Sequence, residues 1–406
     1  MQSLAVLASV GCLLLGLTAF GQGSGGCPQL ADAGAAVPEG AQAASAAGGA
    51  PLASYFDFAD GQVPPEFFAW GNSARLAVTN VDGQPALVMS YVASRSSVAG
   101  MSARVRLAPD ANRFTAELRA SSDTSLAIEL WAGGRTRYQA FVTLPAGRWQ
   151  AVDIPLEEFW PSENSDAEGP VDPGRVTELR LVDLANLPGE VGLALGLKDG
   201  PQELAVRRIG FSRGESRRRS RIEATTALVD AFDAAPAAAL PIGGVRLGWA
   251  PAGLGKELEI AYTFGGHRWA GIVMGVGHLP VHRLAGVTFR ARATPAVRLH
   301  VVLEEREGAK FLATTLLSSA EPRPVEMALD RFRPAGADLG RPINTRRLRV
   351  IILVADTFST NLQPGEEGKF WLDDLALQLT PLGDEASRMP PQNGAPQLNI
   401  GPRGGQ

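Results

Sequence analysis

The chain matches itself at a single offset of 173 residues, with no gap, through an entire hairpin. Leu126, Ile128, Leu130, Tyr138, Ala140 and Leu144 fall on Leu299, Val301, Leu303, Phe311, Ala313 and Leu317. The same offset carries 154–159 onto 327–332 and Leu118-Arg119-Ala120 onto Ala291-Arg292-Ala293. With small shifts the match extends from Phe56-Asp57 over Phe232-Asp233 to 206–211 over 372–377. Solenoid units repeat every 20–50 residues or so, so a period this long implies two complete folds, each with its own core.

Within each copy the apolar residues alternate. Phe114, Ala116, Leu118 and Ala120 share one face, and Arg113, Thr115, Glu117 and Arg119 the other; that is the period of a strand buried on one side. Turn residues punctuate short runs of this kind throughout, and no segment carries a sustained, capped helical stripe. The expectation is all-β: two tandem antiparallel β-sandwich domains at 52–212 and 227–380. They are joined by a basic linker, 213–226, containing Arg217-Arg218-Arg219. Few contacts are expected to cross that linker.

The ends read differently. Residues 4–20 are almost unbroken apolar, short for a bilayer span, and are followed by small residues, so 1–21 reads as a signal peptide. An Ala/Gly-rich leader, 22–51, and a Pro/Gly/Asn-rich tail, 381–406, have little to bury and are expected to be disordered. Removal of Cys12 with the signal leaves Cys27 as the one thiol, so an intramolecular disulfide is excluded and Cys27 becomes a candidate lipidation site. The expected location is exported: periplasmic, extracellular or lipid-anchored to a bacterial envelope, with any membrane attachment through that lipid alone.

A formal net charge of −4 with dispersed basic residues argues against nucleic acid as a partner. Catalytic constellations are missing too. The four histidines, His267, His278, His282 and His300, lie in the second half with no Gly-x-Ser-x-Gly beside them. Pro280 interrupts any helix that would align His278 with His282 for a metal. Glu157-Glu158 and Glu304-Glu305 are sequence neighbours, which point apart on a strand instead of facing across a cleft. The expectation is a protein that is not an enzyme.

Each half opens on a Phe-Asp strand, passes through a segment like Trp149-Gln150-Ala151-Val152-Asp153-Ile154-Pro155-Leu156-Glu157-Glu158-Phe159, and closes on one like Phe370-Trp371-Leu372-Asp373-Asp374-Leu375. Together these resemble the galactose-binding-like jelly rolls, in particular family-eleven carbohydrate-binding modules and complex-I-intermediate-associated domains. The resemblance implies paired antiparallel sheets and a sheet face that holds polysaccharide. It also implies a structural Ca²⁺, expected in the second domain only, with Asp233 and Asp373 or Asp374 among its ligands. The first domain has Arg207-Arg208 where the second has Asp373-Asp374, and Pro322 stands where the first has Trp149.

Sugar recognition needs planar groups to stack on pyranose faces and fixed donors and acceptors for hydroxyls. Alternation places Glu117, Arg119, Glu129, Trp131 and Gln139 on the non-core face of the first domain. It places Arg290, Arg292, His300 and Glu304 on that face of the second. These are the expected ligand-binding residues of a non-catalytic carbohydrate-binding or cell-envelope attachment protein. The alternative is a structural module that holds an envelope protein and no sugar.

Overall fold

The computed structural model describes residues 52–381, except 72, 94–97, 163–164, 168, 185–197, 216–219, 234–237, 254, 265–267 and 336–339. The signal, leader, Cys27, the Arg217–Arg219 run, His267 and all but the first residue of the tail lie outside the described residues. Among the described residues no helix is long and apolar enough to cross a membrane.

The described chain is nearly all strand, with short 3₁₀ turns, and its strands form four antiparallel sheets. In the first sandwich one sheet runs Arg75–Val81, Gln84–Ala93, Gly200–Ser212, Arg113–Ala120, Gln150–Pro155, with Leu52–Asp57 also paired to Gly200–Ser212. We call it the outer sheet. Its partner runs Trp160–Pro161, Arg137–Leu144, Thr124–Trp131, Glu178–Asp183, Gly100–Arg104, Phe67–Trp70. In the second sandwich the outer sheet is built around Glu367–Leu379, which pairs with Thr226–Asp230, Gly255–Thr263 and Leu284–Thr294. Its partner runs Ala239–Ile242, Trp269–Gly275, Leu348–Asp356, Val297–Glu305, Lys310–Leu317, Arg333–Pro334. Arg221–Ile222, inside the expected linker, pairs as a short strand with Thr226–Asp230.

The repeat maps strand for strand. The hairpin Thr124–Trp131/Arg137–Leu144 has the bounds of Val297–Glu305/Lys310–Leu317 displaced by 173, to within one residue. The 3₁₀ turn Leu156–Glu158 becomes Leu329–Arg331. Even an irregularity repeats. Leu204, Val206, Ile209 and Phe211 are buried in the first core, and Phe370, Leu372, Leu375 and Leu377 in the second, so alternation skips a residue in each long closing strand. The skip is a β-bulge at Arg207-Arg208 and at Asp373-Asp374, where the ladder register shifts and Asp374 has φ +49°. Acidic and amide side chains tolerate that left-handed conformation better than most.

The two sandwiches do not stand apart. Along Leu348–Asp356, Ile351, Leu353 and Ala355 join the second sandwich's own core, while Val350, Ile352 and Val354 join the cluster that fills the first. Leu240, Ile242, Trp269, Val273 and Val302 make the same crossing. The non-outer sheets therefore pack face to face, and a middle core lies between the two domain cores. Thr143 Oγ1 donates to the Ala239 carbonyl across it, at 2.8 Å. At roughly 1.5–3 kcal/mol per fully buried aliphatic side chain, this middle core is comparable in scale with the net stability of a domain. The expectation that few contacts cross between the halves is thereby corrected.

Glycine lets the faces meet. The Trp160 indole lies on the backbone of Gly275, where an added Cβ would come within 2.5 Å of ring carbons. After cleavage at a protease site engineered into 216–219, the two fragments should co-elute in gel filtration. Gly275→Val should lower the melting temperature, overpacking costing about 1–3 kcal/mol, and should let the cleaved fragments separate.

Candidate functional site

The sheets sort the expected ligand residues into two groups that do not share a face. Glu117 and Arg119 sit on the outer sheet of the first sandwich, while Trp131 and Gln139 sit on the sheet packed against the second. Likewise Arg290 and Arg292 are on the outer sheet, and His300 and Glu304 on the packed one. Gln139, His300 and Glu304 are buried, at 1%, 9% and 0% exposure, instead of solvent-facing. The physical reason is the middle core, which covers the face that alternation alone leaves open. Trp131 is half-buried and sandwiched, with the Arg180 guanidinium 3.9 Å and the Arg137 guanidinium 5.3 Å from its ring, and its Nε1 donates to Glu129 at 3.0 Å.

The outer faces keep an arrangement that recurs. In the closing strands Ala205 pairs with Arg119 and Trp371 pairs with Arg292, so Arg119 and Arg292 occupy equivalent places. Arg292 has an indole directly under it, and Arg119 shares its partner Asp82 with one. In the second sandwich Trp371 comes from the closing strand itself, lies 3.9 Å under the Arg292 guanidinium and donates Nε1 to Glu259 at 3.0 Å. In the first the closing strand offers only Ala205, and Trp149 folds over Ala86, Val88 and Ala205 from before Gln150–Pro155. Trp149 Nε1 donates to Asp82 at 2.9 Å, and Asp82 pairs with Arg119 at 3.7 Å. The Arg207 guanidinium lies 4.1 Å from the Trp149 ring and 3.7 Å from Glu117. The first platform thus presents a half-buried indole, guanidinium forks and carboxylates, the groups that stack on and hydrogen-bond polyhydroxylated rings, whereas in the second Trp371 is 8% exposed beneath Arg292, so that the guanidinium is the group offered there. Sequence reasoning valued Trp149 for the fold and missed it as a ligand residue; its counterpart being Pro322 was the available signal that this part of the platform is rebuilt between the halves.

Arg292 is tied to the fold as well. Its Nε donates at 2.8 Å to Glu257, which is 2% exposed, and Nη2 contacts the same oxygen. Arg292→Ala should destabilise the protein by about 3 kcal/mol, the low end for an orphaned buried carboxylate. Adding Glu257→Gln should recover part of the loss in denaturant titrations.

At the bulge, Asp373 is half-buried; simple alternation would put it on the core face with Leu375 and Leu377, and the skipped residue moves it off that face. Burial, then the neighbouring Asp374, push its carboxyl up to about 6, with Asp233 adding repulsion and Arg290 opposing. Asp374 is exposed, and Asp233 accepts the Lys256 amide at 3.1 Å. Among the described residues no three His, Cys, Asp or Glu side chains converge to hold a metal ion.

His278 sits at the seam between the sandwiches, its ring 6.4 Å from that of Trp160, and burial lowers its pKa to about 4. Between about 4 and the ordinary 6.5 the unfolded chain binds the extra proton, so its contribution is complete above 6.5 and is lost as pH falls toward 4. Asp373 acts oppositely, because its raised pKa favours the folded state as pH falls below about 6. Comparing melting temperatures at pH 7 and pH 4.5 should therefore show a smaller acid loss in His278→Gln than in the parent, and a larger one in Asp373→Asn.

No protein-family model matches the chain, and no curated protein matches it. Several solved structures are similar to it. A family 11 carbohydrate-binding module of a cellulosomal cellulase of Clostridium thermocellum is 14% identical, with 39% of this chain and 97% of the module covered and a TM-score of 0.29. The N-terminal tandem of family 22 modules from Paenibacillus barcinonensis is 14% identical, covering 83% of this chain and all of the tandem, at a TM-score of 0.28. A family 29 module complexed with mannohexaose is 10% identical over 40% of this chain and 93% of its own, at 0.24. At such scores the sandwich architecture rests on the strand pairing described above.

Proposed function

We propose that this protein is a non-catalytic carbohydrate-binding protein of the cell envelope or its surroundings, holding polysaccharide on its outer sheets. The observation that carries the reading is the pairing of indole and guanidinium on the outer face of each sandwich, Trp149 with Arg207 and, through Asp82, Arg119, and Trp371 under Arg292. Two weak platforms on one rigid body would gain by avidity on a polymer long enough to reach both. A protein-holding role is the weaker reading, because the broad apolar sheet faces that would suit a partner are already packed on each other. Export by the N-terminal signal, with Cys27 lipidated, would deliver the protein to that location.

A structural Ca²⁺ belongs to the same proposal, held by Asp233 and Asp373 with other oxygens completing its shell. Chelator should then lower the melting temperature, and the effect should fade below pH 6, where Asp373 takes up its proton. An unmoved melting temperature at pH 7.5 removes the metal.

Affinity electrophoresis in gels containing mixed-linkage β-glucan or mannan tests the main reading. Retardation should fall at least about tenfold in Arg119→Ala/Trp149→Ala, the equivalent of one charge-assisted hydrogen bond or more, with an unchanged circular dichroism spectrum. Equal retardation of parent and variant removes the first platform from the proposal.

A further inference from the structure

The middle core covers one sheet of each sandwich and leaves the outer sheets. On the first of these a second aromatic side chain shares the face of Trp149. Phe56 pairs with Ile209 and packs with it against the first core, so the next residue, Tyr55, paired with Gly210, points to the outer face. Tyr55 is half-buried. Its row continues through Gly210 to Thr115, and the adjoining row on the side of Trp149 holds Asp57, Arg208 and Glu117.

The bulge in the closing strand assembles the middle of this strip. Val206 and Ile209 are both buried, so neither Arg207 nor Arg208 between them enters the core. The Arg207 guanidinium lies against the Trp149 ring and Glu117, and Arg208 is exposed. Burial pushes the Tyr55 phenol above its usual range; Arg208 opposes this, while Asp57 and Glu117 add to it, so the tyrosine lies within electrostatic reach of the charged row beside it. Trp149 rests on Ala86, Val88 and Ala205. At about 3.3 Å per residue, the stretch of strand from Ala205 to Gly210 separates the two aromatics by roughly 16 Å, less whatever the bulge takes up. That is longer than one sugar ring.

The second sandwich differs at each of these positions. Phe56-Asp57 corresponds to Phe232-Asp233, which puts Ala231 in the place of Tyr55; Pro322 stands for Trp149, and Asp373-Asp374 for Arg207-Arg208. Core, bulge and ladder are common to both copies, so the fold itself requires none of these outer side chains. Their chemistry fits a row of sugars. The indole and phenol rings suit the C–H faces of pyranoses, and guanidinium forks beside carboxylates suit hydroxyls, which donate and accept at once.

We infer that the outer sheet of the first sandwich binds the interior of a linear polysaccharide along a tract from Trp149 across Arg207 and Arg208 to Tyr55, contacting several consecutive sugar units. The inference rests on the carbohydrate-binding reading, adds Tyr55 and Arg208 as contact residues, and makes the first sandwich the one that responds to chain length.

The test uses the full chain in gels of mixed-linkage β-glucan and of mannan, with soluble linear oligosaccharides of the same polymers as competitors. The hexasaccharide should release the protein at a concentration at least about tenfold below that of the disaccharide. Tyr55→Ala should weaken retardation about tenfold and remove most of the hexasaccharide's advantage. Tyr55→Phe, which keeps the ring, should retain most of both. Arg208→Ala, at an exposed position in the middle of the tract, should act in the same direction as Tyr55→Ala and decides the matter if Tyr55→Ala fails to fold. Equal retardation of the parent, Tyr55→Ala and Arg208→Ala, or equal competition by disaccharide and hexasaccharide, overturns the tract. Loss of retardation in Trp149→Ala without loss in Tyr55→Ala and Arg208→Ala removes the tract and leaves the broader reading standing. A parent retarded by neither polymer removes both.

Discussion

The packing of one sheet face on another organises this molecule. Each sandwich has two sheets and therefore two non-core faces. One in each is apolar enough to need covering, and the two cover each other. Ala127, Phe141 and Val182 on the first sandwich and Val350, Ile352 and Val354 on the second would otherwise meet water. Their burial makes three stacked cores from a two-domain chain. It also decides where ligands can go, since the packed faces are lost as open surfaces and the outer faces remain.

That packing explains the placement of charge. Glu304, Arg349 and Lys310 form a buried ion cluster at the seam, an arrangement that stabilises only with good geometry and that penalises removal of any single member. His300 is held the same way: Nδ1 lies 2.9 Å from Thr314 Oγ1, its ring packs edge-on to Trp269, and burial lowers its pKa. Polar residues that look like a binding row in sequence thus become positioning elements of an interface.

The repeat has diverged by position. Strand bounds, 3₁₀ turns and the bulge in the closing strand are kept, because core packing and ladder register fix them. Outer-face chemistry is not. Ala205 and Trp371 are equivalent by pairing, yet each copy puts an indole over its outer sheet, one from the closing strand and one folded across from Trp149. A large planar side chain at that place is retained while its origin in the chain changes.

Alternation and the 173-residue offset determined the all-β class, the strand positions and the core residues, because side-chain period and turn chemistry are local. They also determined which residues leave each core. They did not determine what those residues meet, since water, a ligand and a second sandwich all satisfy the same alternation. One hint was present: Val350-Ile351-Ile352-Leu353-Val354-Ala355 is an unbroken apolar run, the mark of a strand covered on both faces. The bulge at Asp373-Asp374, which resets alternation by one residue, the burial of Gln139, His300 and Glu304, and the meeting of Trp160 with Arg306 and Arg346 at one cavity were decided only by tertiary structure. Each depends on contacts between segments far apart in the chain, which no local period encodes.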